Sequence, residues 1–132
     1  MSNRVWSARS KTAYDTLDPR LQKICDGVLV QMDVTILEGH RDQAAQEAAF
    51  AAGNTKLHWP HGNHNALPSK AVDLSPYPVD WADKTRFAYM AGIAKGLAAG
   101  LGFKLRWGGD FDRDGNPSNE TFRDLPHLEI DE

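Results

Sequence analysis

The chain lacks most of the features that would settle its class at once. It has a single cysteine, Cys25, which excludes an intrachain disulfide and any zinc site built on cysteine pairs. No apolar run reaches the roughly 18 residues needed to span a bilayer, and no charged-then-apolar stretch resembles a secretory leader. A basic excess is missing as well. Fifteen Lys and Arg stand against 18 Asp and Glu, for a net charge of −3, the opposite of a nucleic-acid-binding footprint. There is no internal repeat and no low-complexity segment. What remains is 41% hydrophobic and 25% charged over 132 residues. That is the balance of a globular chain, long enough for one domain (1–132) with its own core. The expectation is a monomer, made and kept in the cytoplasm, that neither binds nucleic acid nor inserts into a membrane.

Hydrophobic spacing supplies the elements. Residues 1–16 are polar and read as a surface segment with at most a short helical turn. Asp18-Pro19 is a helix start, with Asp capping and Pro in the first turn. Leu21, Ile24, Cys25, Val28 and Leu29 then recur on one helical face, which predicts a buried thiol at Cys25. Val34–Leu37 reads as a short strand, and Asp42 opens a helix through Ala52 that Gly53-Asn54 closes. Residues 54–70 form a loop rich in His, Asn, Gly and Pro. Ala71–Leu74 is a second strand. Asp80 is expected to cap a long helix whose buried stripe includes Phe87, Met90, Ala91, Ala94, Leu97 and Leu101. Phe103–Trp107 and His127–Ile130 complete the set. The class is α+β: a small, largely antiparallel sheet packed with three helices.

Chemistry concentrates in a few side chains. His64 and Asp73 sit nine apart, and His127 lies in Asp-Leu-Pro-His-Leu-Glu. Two imidazoles and a carboxylate form a donor set that suits Zn²⁺ and leaves a fourth position open. Asp73 stands between apolar Val72 and Leu74, so alternation turns it away from their face. An acid so placed is either a sheet-surface residue or a ligand. His127 and Glu129 share a face of the last strand, where Glu129 could orient the imidazole. Asp124 could act as a general base or be a solvated turn acid. His58 and His61 extend the histidine spacing, but Pro60 and Gly62 break any helix that would align them. Asp110, Asp112 and Asp114 open like a calcium loop, with Gly115 at the sharp turn, so Ca²⁺ is a second candidate ion. Thr121 at the twelfth position breaks that pattern, and Glu120 could substitute only with a shifted backbone.

The stretch Gly62–Pro78 resembles the zinc motif of phage endolysin L-alanyl-D-glutamate peptidases, within the VanY-like D-Ala-D-Ala metallopeptidase group. Glu38-Gly39-His40-Arg41 with Gln43 and Gln46, Asp80-Trp81, Leu105–Asp110 and Asp124–Glu129 match further segments in order. The resemblance implies zinc at His64, Asp73 and His127. It also implies a catalytic acid at Asp124 and a substrate- or transition-state-binding Arg41. Its implied substrate is the stem peptide of bacterial peptidoglycan, cut for host lysis after release from the host cytoplasm through a holin toward the periplasm or wall. Two departures stand out: the His-to-Asp interval is longer than in many relatives, and Gly62 replaces a common Ser or Thr. Competing readings are a D-Ala-D-Ala carboxypeptidase and a non-catalytic zinc-binding phage structural or wall-binding module. The retained Asp124 and Arg41 argue against the second. A His-Asn-His nuclease built on Asn63-His64-Asn65 fits the acidic chain poorly.

Overall fold

The computed structural model describes residues 4–120 and 123–132. Helix α1 spans Ala8–Tyr14 and α2 spans Pro19–Gln31. Each starts at a side-chain cap. Ser7 accepts from the Ser10 amide and Asp18 from the Arg20 amide, so donors that the first turn leaves orphaned are satisfied.

The expected helices are present, and α1, seven residues long, stands where the sequence pattern suggested a polar surface segment with a short helical turn. Its one buried residue is Ser10, so no apolar stripe announces it. Ser10 Oγ accepts the Ile36 amide and lies 3.1 Å from Thr35 Oγ1. In this way α1 covers the open edge of the sheet.

Four strands form that sheet: β1 Val34–Glu38, β2 Ala71–Pro76, β3 Leu105–Trp107 and β4 His127–Ile130. Their order is β1-β2-β4-β3, with every pair antiparallel. Helix α3 is Gln43–Ala51, capped by Asp42, and α4 is Lys84–Leu101. The core lies between the sheet and helices α2 and α4. It includes Leu21, Ile24, Val28, Ile36, Val72, Leu74, Phe87, Met90 and Leu128. Cys25 is fully buried there, and burial pushes its thiol above the ordinary range.

Two local expectations need correction. The cap of α4 is Asp83, which accepts from the Arg86 amide. Asp80 instead closes the turn before the helix, taking the Ala82 amide on its carboxylate and the Asp83 amide on its carbonyl. The buried stripe of α4 ends at Ala98. Leu101 is 52% exposed, in the last turn before Gly102 reverses the chain at φ 90°.

Candidate metal centre and its surroundings

The central pair of strands carries the site. In the β2–β4 register Asp73 lies opposite His127. A bulge between Ile36 and Glu38 shifts the β1–β2 register so that Glu38 also lies opposite Asp73, a common use of bulges beside functional sites. His64 comes from a short 3₁₀ turn, Asn63–Asn65. His64, Asp73 and His127 each offer a donor atom, and these atoms all lie within 4.8 Å of one another.

Hydrogen bonding fixes which nitrogens point inward. His64 Nδ1 is 2.7 Å from the Gly39 carbonyl. A carbonyl only accepts, so Nδ1 carries the proton and Nε2 is left facing Asp73 Oδ1 at 3.2 Å. His127 Nε2 donates to Glu129 Oε1 at 2.7 Å, leaving Nδ1 3.5 Å from the same Asp73 oxygen. Lone pairs aimed at a carboxylate repel unless a positive charge lies between them, whether a proton or a metal ion. The protonation equilibria carry that demand. Burial disfavours charge on His127, yet its bonds to Asp73 and Glu129 raise its pKa to about 9. Burial likewise opposes charge on Asp73, but the two histidines hold its carboxyl well below the usual range. The geometry and donor types therefore fit a divalent metal ion.

Asp124 stands beside this group, fixed by its backbone. Its amide donates to the Gly108 carbonyl, Gly108 donates to the His127 carbonyl, and His127 donates back to the Asp124 carbonyl. A Cβ on Gly108 would stand 1.9 Å from the Asp124 carbonyl oxygen, so only glycine permits this approach. Burial and the neighbouring charge of Asp73 raise the Asp124 pKa, against the pull of His127, His64 and Arg41.

Arg41 is held from three sides. Its Nε and Nη2 donate to the Glu38 carboxylate, Nη1 donates to Gln46 Oε1 at 3.1 Å, and Nη2 lies 4.0 Å from Asp73 Oδ2. Gln46 is 1% exposed. It also accepts from Asn65 and donates to the Leu57 carbonyl.

Gly39, Gln46 and Gly108 were visible in the sequence only as motif letters; their spatial duties were not. At Gly39 a Cβ would meet Thr16 Oγ1 at 2.4 Å and the Ala13 carbonyl at 2.7 Å. Gly62 donates its amide to Asn65 Oδ1.

The remaining histidine candidates stay apart from the centre. His58 bonds Glu47 and stacks on Phe50, and neither His58 nor His61 joins a metal-type group among the described residues. The acidic loop does form a second cluster. Asp110, Asp112 and Asp114 converge, and Glu120 joins them. Thr121 lies outside the described residues. Asp110 Oδ1 and Glu120 Oε1 are buried without hydrogen-bond partners.

Two cavities flank the centre and share Arg41, Asn54 and Asp124. The larger, about 530 Å³, also touches Asp73, Trp81 and Arg123. The smaller, about 330 Å³, includes His64, His127, Lys56 and Arg106.

The model of the family described as "Phage L-alanyl-D-glutamate peptidase" matches residues 1–130. The chain belongs to this family. One relative is the L-alanyl-D-glutamate peptidase of Escherichia phage T5, 30% identical over 129 residues, covering 92% of this chain and 93% of that protein. A solved structure, the L-Ala D-Glu endopeptidase ChiX of Serratia marcescens, shares the fold at a TM-score of 0.75 and 24% identity. The match covers 96% of this chain and 89% of that one. Of the segments that carry the family resemblance, Glu38–Arg41, Gly62–Pro78 and Asp124–Glu129 contain the residues gathered at this centre. Among the described residues no helix is long and apolar enough to cross a membrane.

Proposed function

We propose that the chain is a zinc peptidase that hydrolyses the bond between L-alanine and D-glutamate in the peptidoglycan stem peptide, acting as a monomeric, single-domain phage endolysin. The observation that carries this reading is the convergence of His64, Asp73 and His127 in a member of this family. When bound, zinc supplies Lewis-acid charge to a carbonyl and makes water a nucleophile near neutral pH.

The protein side chains supply the rest. Asp124, its carboxyl raised by burial, accepts the proton of the attacking water and passes it to the leaving amine of D-glutamate. Arg41, anchored by Glu38 and Gln46, offers its guanidinium to the charge that develops on the carbonyl oxygen. Glu129 and the Gly39 carbonyl hold the two imidazoles in the tautomers that direct a free nitrogen inward. Asp110, Asp112, Asp114 and Glu120 are assigned to a calcium ion, whose oxygen-rich preference matches the two buried, unpartnered carboxylate oxygens. Release through a holin pore is the proposed route from the host cytoplasm to the wall.

Mass spectrometry of purified peptidoglycan digested by the protein tests the reading. The expected products are glycan-linked L-alanine and free peptides beginning with D-glutamate. Loss of terminal D-alanine alone would reassign the enzyme as a carboxypeptidase. Binding to the wall without any product would remove it from the enzymes.

A further inference from the structure

The two cavities beside the metal centre differ in a way that gives the substrate a direction. Trp81 lies at the larger one, in the turn before α4, and is 56% exposed. Its ring stacks on Phe87 with centroids 5.6 Å apart and planes at 10°. Phe87 is itself 1% exposed, so the core fixes the indole while leaving much of it open. A rigid, exposed aromatic at a cavity edge offers contact area at little cost in conformational entropy.

Charge differs between the cavities as well. In the larger, Glu38, Asp73 and Asp124 outnumber Arg41 and Arg123. In the smaller, Arg41, Lys56 and Arg106 outnumber Asp124 and Glu129.

Resting on the peptidase reading above, the substrate's own chemistry meets both differences. L-alanine is joined through its amine to the lactyl group of a sugar, so one amino-acid residue and one lactyl ether separate the bond to be broken from a pyranose ring. Two such units in extended form span about 7 Å, which brings that sugar to the mouth of the site. On the other side, D-glutamate continues the chain through its side-chain carboxyl and keeps its α-carboxylate free, so the leaving half is acidic. We propose that the substrate lies across the centre with its sugar-bearing end over Trp81, the indole serving as a platform for the pyranose, and its acidic end in the smaller, net-positive cavity.

The test compares two substrates: a disaccharide-tetrapeptide and the same tetrapeptide without sugar, acetylated on L-alanine. Zinc-loaded wild type, Trp81→Ala and Trp81→Tyr are assayed on each, with melting temperature and metal content as controls. Trp81→Ala is expected to lose about tenfold in kcat/KM on the sugar-bearing substrate, equivalent to about 1.4 kcal/mol. The loss should arise mainly through KM, and the sugar-free peptide should be turned over within about twofold of wild type. Trp81→Tyr, which keeps an aromatic face, should recover most of the difference. Equal losses on both substrates would make Trp81 a general structural support and overturn the platform, as would no loss on either. If the wild type cleaves neither substrate at the L-Ala–D-Glu bond, the peptidase reading falls and the platform falls with it.

Discussion

The two carboxylate clusters of this protein handle charge in opposite ways. At the metal centre Asp73 is enclosed by two imidazoles whose outer nitrogens are braced by Gly39 and Glu129. Its carboxyl is held below the usual range. In the acidic loop the carboxylates face one another. Burial, partly opposed by the Gly115 amide, together with neighbouring Asp114 and Asp112 raises the Asp110 carboxyl, and close approach to Asp112 raises that of Glu120. The Asp114 carboxyl is lowered, chiefly through a hydrogen bond from Asn119. The first cluster is positioned by strands and distant backbone, so its geometry precedes the ion. The second gathers like charges along one stretch of chain, where a cation would offset their mutual repulsion. The difference is one of pre-organisation: donors braced by distant backbone and side chains are balanced in charge before any ion arrives, whereas carboxylates gathered against one another stay in mutual repulsion until a cation joins them.

The strongest way to break this contrast is His127→Ala. It should remove most of the zinc and abolish lysis of permeabilised Gram-negative cells while the fold survives; full zinc occupancy measured by atomic emission would reject the ligand set. Next comes Asp124→Asn, which should retain zinc and fold but lose about 10²–10⁴ in turnover, the usual weight of a general base. Near-wild-type turnover there would shift the proton-transfer role elsewhere. Glu129→Ala probes the bracing itself. It should weaken zinc affinity by about 10- to 100-fold, read by competition with a chelator, and unchanged affinity would show that His127 needs no such partner. The smallest effect belongs to the loop. Millimolar calcium should raise the melting temperature by roughly 5–10 °C at a hundredfold excess over Kd, and raise activity, without replacing zinc. Asp112→Ala should erase that response at constant zinc content. If calcium moves neither the melting curve nor the rate of metal-stripped, zinc-reloaded protein, the loop is a solvated turn.

Much of the fold was legible because burial leaves a periodic trace. The stripe from Leu21 to Leu29 and the alternation around Asp73 followed directly from spacing, and both appear in the structure. Helix α1 left no such trace, since it meets the sheet through Ser10 hydroxyl bonds. The start of α4 was misplaced because Asp80 and Asp83 are equally good caps in isolation, and only the turn between them decides. Glu120 looked out of step with a calcium loop when counted by position, yet its carboxylate reaches the cluster. At the metal centre the chemical identity of the candidates was readable. Their bracing by Gly39, Gln46 and Gly108 was not, because a glycine's duty lies in the atoms that approach it and these come from distant segments.

The strand order carries one more consequence. Strand β4 lies between β2 and β3, so the strand that delivers His127 also joins the two halves of the sheet. Asp73 and His127 are far apart in sequence but directly paired in register. Contacts of such long separation form together with the global fold rather than ahead of it. A form in which β2 and β4 are unpaired therefore cannot hold the full ligand set. Catalytic competence should appear and vanish in the same cooperative transition as the sheet, making turnover a direct report on the native population.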